Sequence, residues 1–259
     1  MKEKTVLFEH SFMVAEKKDI GKKRADNQDE TILCPKIGFF AISDGMGGLG
    51  EGAKASEYVR QSMAILMEIC NNEYGNNRNI DTASKAYYTS VQLMSDRLFN
   101  TGNSEDRYLY GATFSGVWLI ENKAVFVNIG DSRGYLLSRY KKKINQVTDD
   151  QNIAGMLYRK GKLTKTEAKN DPGSSRLTSF VGMKPPADPE LYIMDVHPGD
   201  RILLCSDGLY GMVEDQDIVR IMRSSKSPER VCDRLIAKAN ENGGRDNISA
   251  VYIKIINKA

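Results

Sequence analysis

Histidine is nearly missing from this chain of 259 residues, which holds two, and cysteine is scarce at four. Cys34, Cys70, Cys205 and Cys232 are widely spaced, form no C-x-x-C, and three of them sit in apolar surroundings. Neither a zinc site nor a disulfide framework is expected, and a reducing compartment, the cytoplasm, is the simplest location. No apolar run approaches the roughly 18 residues of a membrane span, and Met1-Lys2-Glu3-Lys4-Thr5 leads into no export-signal core. Strong charge of one sign is lacking too: the formal net charge is +3, with no arginine-rich run and no aromatic-interleaved basic patch. Nucleic acid is therefore not an expected partner. The short cluster Arg139-Tyr140-Lys141-Lys142-Lys143 lies between apolar segments and reads as a solvated hairpin turn. Without internal repeats, low-complexity tracts or linkers, residues 1–259 are expected to form one domain, a monomer by default.

What the chain does have is a recurring join of apolar strand to aspartate. Phe39-Phe40-Ala41-Ile42-Ser43 stops at Asp44, and Gly45, Gly47 and Gly48 follow. The strand delivers a carboxylate to a sheet end, and the glycines permit a sharp turn close to a ligand. Ile202-Leu203-Leu204-Cys205-Ser206-Asp207-Gly208 repeats the pattern, and Val127-Asn128-Ile129-Gly130-Asp131 and Gly244-Arg245-Asp246-Asn247 are related to it. Taken singly each is an ordinary Asp-Gly turn signal. Together they point to one acidic centre. The glycines lack the G-x-G-x-x-G spacing and no Walker lysine follows, so a nucleotide site is not indicated.

Strands are expected over residues 5–15 and 31–43, with a polar loop from Gly21 to Asp29 between them. Helical spacing of Val59, Met63, Leu66, Met67 and Cys70 predicts a helix over 53–70; an Asn-rich break to Asn79 precedes a second helix ending near Asn100. Residues 112–120 and 123–129 read as strands joined by Glu121-Asn122, and 135–138 with 144–148 as another pair. Residues 149–175 are polar, with one short helical signal. Strands follow at 191–196 and 201–206, then a helix after Ser227-Pro228 and a last strand at 248–256. Consecutive helices between strand-rich stretches argue for α+β: an antiparallel β-sandwich flanked by helices on both outer faces.

Carboxylates, a glycine carbonyl and water are the ligands that Mg²⁺ and Mn²⁺ prefer, and neither His10 nor His197 lies near the motifs. Gathered carboxylates without a cation repel one another and raise each other's pKa. The cluster implies two ions, with Asp44 and the Gly45 carbonyl at the bridge, a pair suited to in-line displacement at phosphorus. Arg24, five residues before Asp29, is either an exposed loop arginine or a bidentate phosphate ligand.

The ordered set Gly21-x-x-Arg24-x-x-Asn27-Gln28-Asp29, Asp44-Gly45-Met46-Gly47-Gly48, Gly111-Ala112-Thr113, Gly130-Asp131-Ser132-Arg133, Leu177-Thr178-x-x-Val181-Gly182, Ser206-Asp207-Gly208-Leu209 and Gly244-x-Asp246-Asn247 resembles the metal-dependent type 2C serine/threonine protein phosphatases, the PPM family, in its compact bacterial branch. The resemblance spans essentially the whole chain and implies a helix-flanked β-sandwich with a dinuclear Mn²⁺ or Mg²⁺ centre. It assigns Asp44 as bridge, the Gly45 carbonyl, Asp207 and Asp246 as ligands, Asp29 as ligand or orienter of water in the catalytic centre, and Arg24 as catalytic and substrate-phosphate ligand. Asp131 with Asp207 would hold a third, weaker ion, unless Asp131 serves only its own turn. The implied reaction is attack of a metal-bridging hydroxide on phosphoserine or phosphothreonine without a phosphoenzyme, opposing a bacterial-type Ser/Thr kinase. Animal members carry a histidine after the glycines, absent here, so a metal-bound water is expected to protonate the leaving group. Gln28, Leu49 and Gln151 depart from residues common in the family, with changed tuning expected rather than lost activity. Residues 149–175 correspond to the flap subdomain. A catalytically inactive binding module and a dedicated phosphatase of a stress-signalling regulator are the alternatives.

Overall fold

The computed structural model describes residues 2–3, 8–48, 50–77, 79–102 and 110–258. Its strands are β1 (Lys2–Glu3), β2 (Ser11–Asp19), β3 (Asp29–Cys34), β4 (Phe39–Gly47), β5 (Tyr110–Ala112), β6 (Phe114–Ile120), β7 (Lys123–Ile129), β8 (Arg133–Leu137), β9 (Asn145–Gln146), β10 (Glu190–Asp195), β11 (Arg201–Cys205) and β12 (Ile248–Ile256). The helices are α1 (Glu51–Asn77), α2 (Ile80–Gly102), α3 (Ile153–Arg159), α4 (Lys165–Asn170), α5 (Asp207–Tyr210), α6 (Asp215–Arg223) and α7 (Pro228–Glu241). One sheet has the order β1-β2-β12-β11-β8-β9 and the other β10-β7-β6-β4-β3, with β5 paired to β4. Named strands pair antiparallel throughout.

Period-two alternation sorts the side chains into layers. Along β4, Phe40 and Ile42 face the other sheet while Phe39 and Ala41 face α1 and α2; along β12, Val251, Ile253 and Ile255 face inward and Ile248, Ala250 and Tyr252 face α7. The core between the sheets is built from Phe8, Phe12, Phe40, Val117, Phe126, Ile202 and Leu204 with their neighbours. On one outer face Val59, Met63 and Met67 of α1 meet Tyr87, Val91 and Met94 of α2 over Trp118. On the other, Ile218 and Met222 of α6 and Val231, Leu235 and Ile236 of α7 cover Tyr135 and Leu203. The β-sandwich with helices on both outer faces is as expected.

Local differences have identifiable causes. The apolar stretch 31–43 is two strands, because Pro35–Ile37 makes a tight turn closed by Gly38 in the left-handed region. The strand expected over 5–15 is β2, which begins at Ser11, and residues 5–7 of that expectation lie outside the described residues. Helix α1 runs through the asparagines to Asn77, its packing on β4 outweighing their weak propensity. Segment 149–175 holds two helices: Asn152 caps α3, and a Thr164–Glu167 capping box starts α4. Helix α7 begins as expected, with Ser227 accepting from the Arg230 N–H and Pro228 in the first turn. The Glu121-Asn122 turn joins β6 to β7, with Glu121 at φ 51° and bonded by the Tyr74 hydroxyl at 2.6 Å. Turn 197–200 does not close a hairpin; it carries the chain from β10 in one sheet to β11 in the other. All four cysteines are free, and no helix among the described residues is long and apolar enough to cross a membrane.

Phe40 is fully buried, with its ring edge-on to Phe12 at 5.2 Å between centroids. Phe40→Ala should lower stability by about 3–5 kcal/mol, a large share of the roughly 5–15 kcal/mol of a typical domain. Urea denaturation followed by tryptophan fluorescence checks this; a midpoint equal to wild type would contradict the layer assignment.

Candidate metal centre

All the aspartates singled out by sequence come together at one end of the sandwich, by strand register. Asp29 opens β3 and sits directly across from Asp44 on β4, so two carboxylates face each other on adjacent strands. Asp131 follows β7, Asp207 follows β11 as the first residue of α5, and Asp246 precedes β12. Antiparallel pairing puts the end of β11 beside the starts of β12 and β8.

Asp29 is 1% exposed and joins the two sheets: its Oδ2 accepts from Ser206 Oγ at 2.8 Å and from Ser249 Oγ at 2.6 Å. Asp44 is fixed through its backbone, with its N–H given to Thr113 Oγ1 at 3.0 Å and its carbonyl accepting from the Thr113 N–H at 2.8 Å. Thr113 Oγ1 in turn meets Ser132 Oγ at 2.7 Å, beside Asp131. Asp131 accepts from Asn152 Nδ2 at 3.2 Å, and its backbone carbonyl from the Tyr210 hydroxyl at 3.0 Å. Asn247 straps down the Arg24 loop: its Oδ1 accepts from the Gln28 N–H at 2.9 Å, and its Nδ2 reaches the carbonyls of Ile20 and Asp26. Arg24, with its side chain 57% exposed, donates to Asp246 Oδ2 at 2.7 Å.

Burial raises the pKa of Asp29 to about 6, with Asp246 adding to the shift and the two serine hydroxyls opposing it. Asp44 rises well above the carboxylate range, first through burial and then through Asp29, Asp207, Asp131 and Asp246. Asp207 rises likewise, through burial and then Asp131, Asp246 and Asp29. Burial also lifts Asp131 to about 6, helped by Asp150 and opposed by Asn152 and Arg133. These groups share one field.

The fit of the cluster to divalent cations shows in the atoms it leaves unmatched. Asp29 Oδ1 and Asp207 Oδ1 are both buried with no donor. Such atoms are costly unless a cation or a proton meets them. The nearby side-chain donors are oxygens, which suits Mg²⁺ or Mn²⁺ and not zinc. Among the described residues no three acidic, histidine or cysteine side chains enclose a point by themselves. Coordination would therefore lean on a backbone carbonyl and water, as hard cations allow.

Residues 22–246 match the family profile described as protein phosphatase 2C. The chain belongs to the protein phosphatase 2C family. It is 30% identical to the serine/threonine phosphatase stp of Listeria welshimeri over 217 residues, 82% of each chain. The solved PPM Ser-Thr phosphatase MsPP of Mycobacterium smegmatis, in complex with cacodylate, is 30% identical with a TM-score of 0.77, over 93% of this chain and 97% of that one. The catalytic domain of the serine/threonine protein phosphatase PstP, in complex with two manganese ions, is 27% identical with a TM-score of 0.74, over 95% and 99%.

In this protein phosphatase 2C member Gly45 of the central motif also serves close packing of the backbone. A Cβ on Gly45 would collide with the Gly52 carbonyl, and one on Gly52 with Gln28 Oε1, so these glycines let β4 and the first turn of α1 touch. Gly48 borders open space. The side chain of Gln28 is thus directed at Gly52, while its carbonyl accepts from the Gly45 N–H and Ser56 Oγ. Gln151 is buried and clamps Gly130, with its Oε1 accepting from the Gly130 N–H at 2.9 Å and its own N–H donating back at 3.0 Å. Leu49 lies outside the described residues. His10 packs edge-on against Phe8 just before β2, and His197 sits in the exposed turn before β11, 3.9 Å from Asp200; both precede strands whose far ends lead to the carboxylate cluster. Sequence reasoning gave no role to Ser206, Ser249, Asn152, Asn247 or Tyr210. Ser206 and Asn247 stood inside quoted motifs, whereas Ser249 and Asn152 become visible only when β12 and α3 are folded against the site.

A raised carboxylate pKa means that the folded, ion-free protein binds more protons than the unfolded chain. That contribution favours folding below the ordinary value of about 4 and is lost as pH rises through about 6 for Asp29. Metal-stripped Asp207→Asn should therefore melt above metal-stripped wild type at neutral pH and lose less stability between acid and neutral pH. Added Mn²⁺ should raise the melting temperature of wild type more than that of the variant. A variant less stable than wild type in chelator would refute this account of the electrostatics.

Proposed function

We propose that the chain hydrolyses phosphoserine and phosphothreonine in proteins, opposing a bacterial-type Ser/Thr kinase, as one catalytic domain with residues 149–175 as its flap. The observation that carries the reading is the set of buried carboxylates at one sheet end with two unmatched oxygens and a guanidinium at their rim. Asp44, Gly45 through its carbonyl, Asp207, Asp246 and Asp29 would hold two Mn²⁺ or Mg²⁺ ions, and Asp131 with Asp207 a third. When bound, the ions supply water that is nucleophilic at neutral pH and positive charge facing the phosphoryl oxygens. Relatives support this: PstP was solved with two manganese ions and MsPP with cacodylate, a tetrahedral oxyanion.

The residues of the chain divide the remaining work. Asp29, held by Ser206 and Ser249, ties the strand beside Asp44 to the segment that carries Asp207 and so aligns the two. Thr113 keeps the backbone of Asp44 rigid, so that little reorganisation is needed as charge develops. Arg24 is the exchangeable partner. Its guanidinium pairs with Asp246 by one exposed contact, and its planar fork, once turned from that carboxylate, would grip two phosphate oxygens. Both histidines lie too far away to protonate the departing alkoxide. The inactive-module reading has no support, since every carboxylate of the cluster is present.

Phosphate release from a phosphothreonine peptide should require Mn²⁺, stop in chelator and fall by orders of magnitude in Asp207→Asn. Arg24→Lys keeps the charge but loses the fork, and should cut kcat/KM by about tenfold or more. His10→Ala and His197→Ala should keep the wild-type pH–rate profile. A folded, Mn²⁺-loaded wild type that releases no phosphate from any phosphopeptide would overturn the proposal.

A further inference from the structure

A groove of about 450 Å³ opens from Asp207 and Asp246 and runs between α3 and α4 on one side and α5 on the other. Its lining carries more cations than the phosphate alone requires. Arg133 is neutralised by a two-pronged pair with Asp150, at 2.8 and 2.6 Å, and its guanidinium stacks 3.5 Å above the Tyr210 ring, which makes a rigid floor. On the α4 side, Lys165 bonds Asp215 at 2.6 Å and Lys169 bonds Glu214, tying α4 to the segment that leads into α6. Arg245 and Arg159 remain. Both are exposed and line the groove, and among the described residues neither has a carboxylate partner. Arg159 gives one N–H to the Asp150 carbonyl. The loop carrying Arg245 is pinned where the Lys22 N–H bonds the Gly244 carbonyl at 2.7 Å, and Gly244 has a positive φ of 52°. Asp149, also on the lining, is half-buried.

We propose that this groove holds the substrate chain beside the phosphoresidue, and that Arg245 and Arg159 select substrates with acidic side chains flanking the phosphorylated position. The inference rests on the phosphatase reading above. A planar guanidinium without a carboxylate partner, carried into a cleft on a pinned backbone, is suited to a carboxylate because it offers two parallel hydrogen bonds. A basic flanking residue would meet the same cations at a loss.

Matched phosphothreonine peptides, flanked by glutamate, glutamine or lysine on each side in turn, provide the test with the Mn²⁺-loaded protein. Wild type should favour glutamate over glutamine by about three- to tenfold in kcat/KM, and the preference should shrink as salt is added. Arg245→Gln and Arg159→Gln should each bring that ratio towards one, and Arg245→Glu should shift preference to the lysine peptide. The ratio is internal to each variant, so partial misfolding does not distort it. Equal turnover of glutamate and glutamine peptides by wild type, or a ratio that both glutamine variants leave unchanged, overturns this inference alone. Absence of turnover for every peptide overturns the phosphatase reading and this inference with it.

Discussion

One carboxylate oxygen of Asp29 accepts hydroxyls from Ser206 and Ser249, across the gap between the two sheets. The sandwich core sets the sheets apart by the thickness of Phe12, Phe40 and Phe126, and this buried polar contact, with Asn247 on Gln28 and Tyr210 on Asp131, fixes their alignment at the acidic end. Apolar packing is non-directional and tolerates sliding; a charge-assisted hydrogen bond in a buried place does not. Asp44 from one sheet and Asp207 from the other are thereby held in a defined relation. The cost is concentrated negative charge. Asp29 carries it at a pKa raised to about 6, and Asp44 and Asp207 are raised further from the carboxylate range. Carboxylates buried so close together are costly without compensating positive charge or protons.

Charge compensation appears in graded layers around that centre. Deepest is the Arg133–Asp150 pair, which is largely buried, bidentate and stacked on Tyr210, and which ties the start of β8 to the approach to α3. At the rim, Arg24 holds Asp246 by one exposed contact and is easily exchanged. Outermost, α4 is bound to the region before α6 through surface lysines whose pairs are weak one by one. The order runs from permanent to exchangeable as the site opens to solvent. Catalysis by this family would need that gradient: fixed carboxylates, a movable guanidinium, and an adaptable wall for a protein substrate.

The motifs show where chemistry sits because each couples an apolar strand to a carboxylate, and both halves of that signal are local. Asp44, Asp131, Asp207 and Asp246 could be named on this basis, and Asp29 with Arg24 from the family pattern. Gly45 was legible as a special position, and the fold adds a packing reason to it. Its missing Cβ makes room for the Gly52 carbonyl, a contact between β4 and the first turn of α1 that no run of residues announces. The turn at Pro35–Ile37 was hidden by apolar residues on both sides, since hydrophobicity marks burial and not direction.

By itself the sequence determined the layers. The apolar run of β4, the alternation of β12, helical spacing in α1 and the Ser227-Pro228 start of α7 each follow from a few neighbouring residues, and short-range physics is enough to decide them. Only the tertiary structure decided the partners: which hydroxyls meet Asp29, that Asn152 reaches Asp131, that Gln151 clamps Gly130, and that Arg245 shares a groove with Arg159. Asp29 and Ser249 are separated by most of the chain, and a hydrogen bond depends on ångströms in space. Sequence order carries no measure of that distance until the sheets have closed.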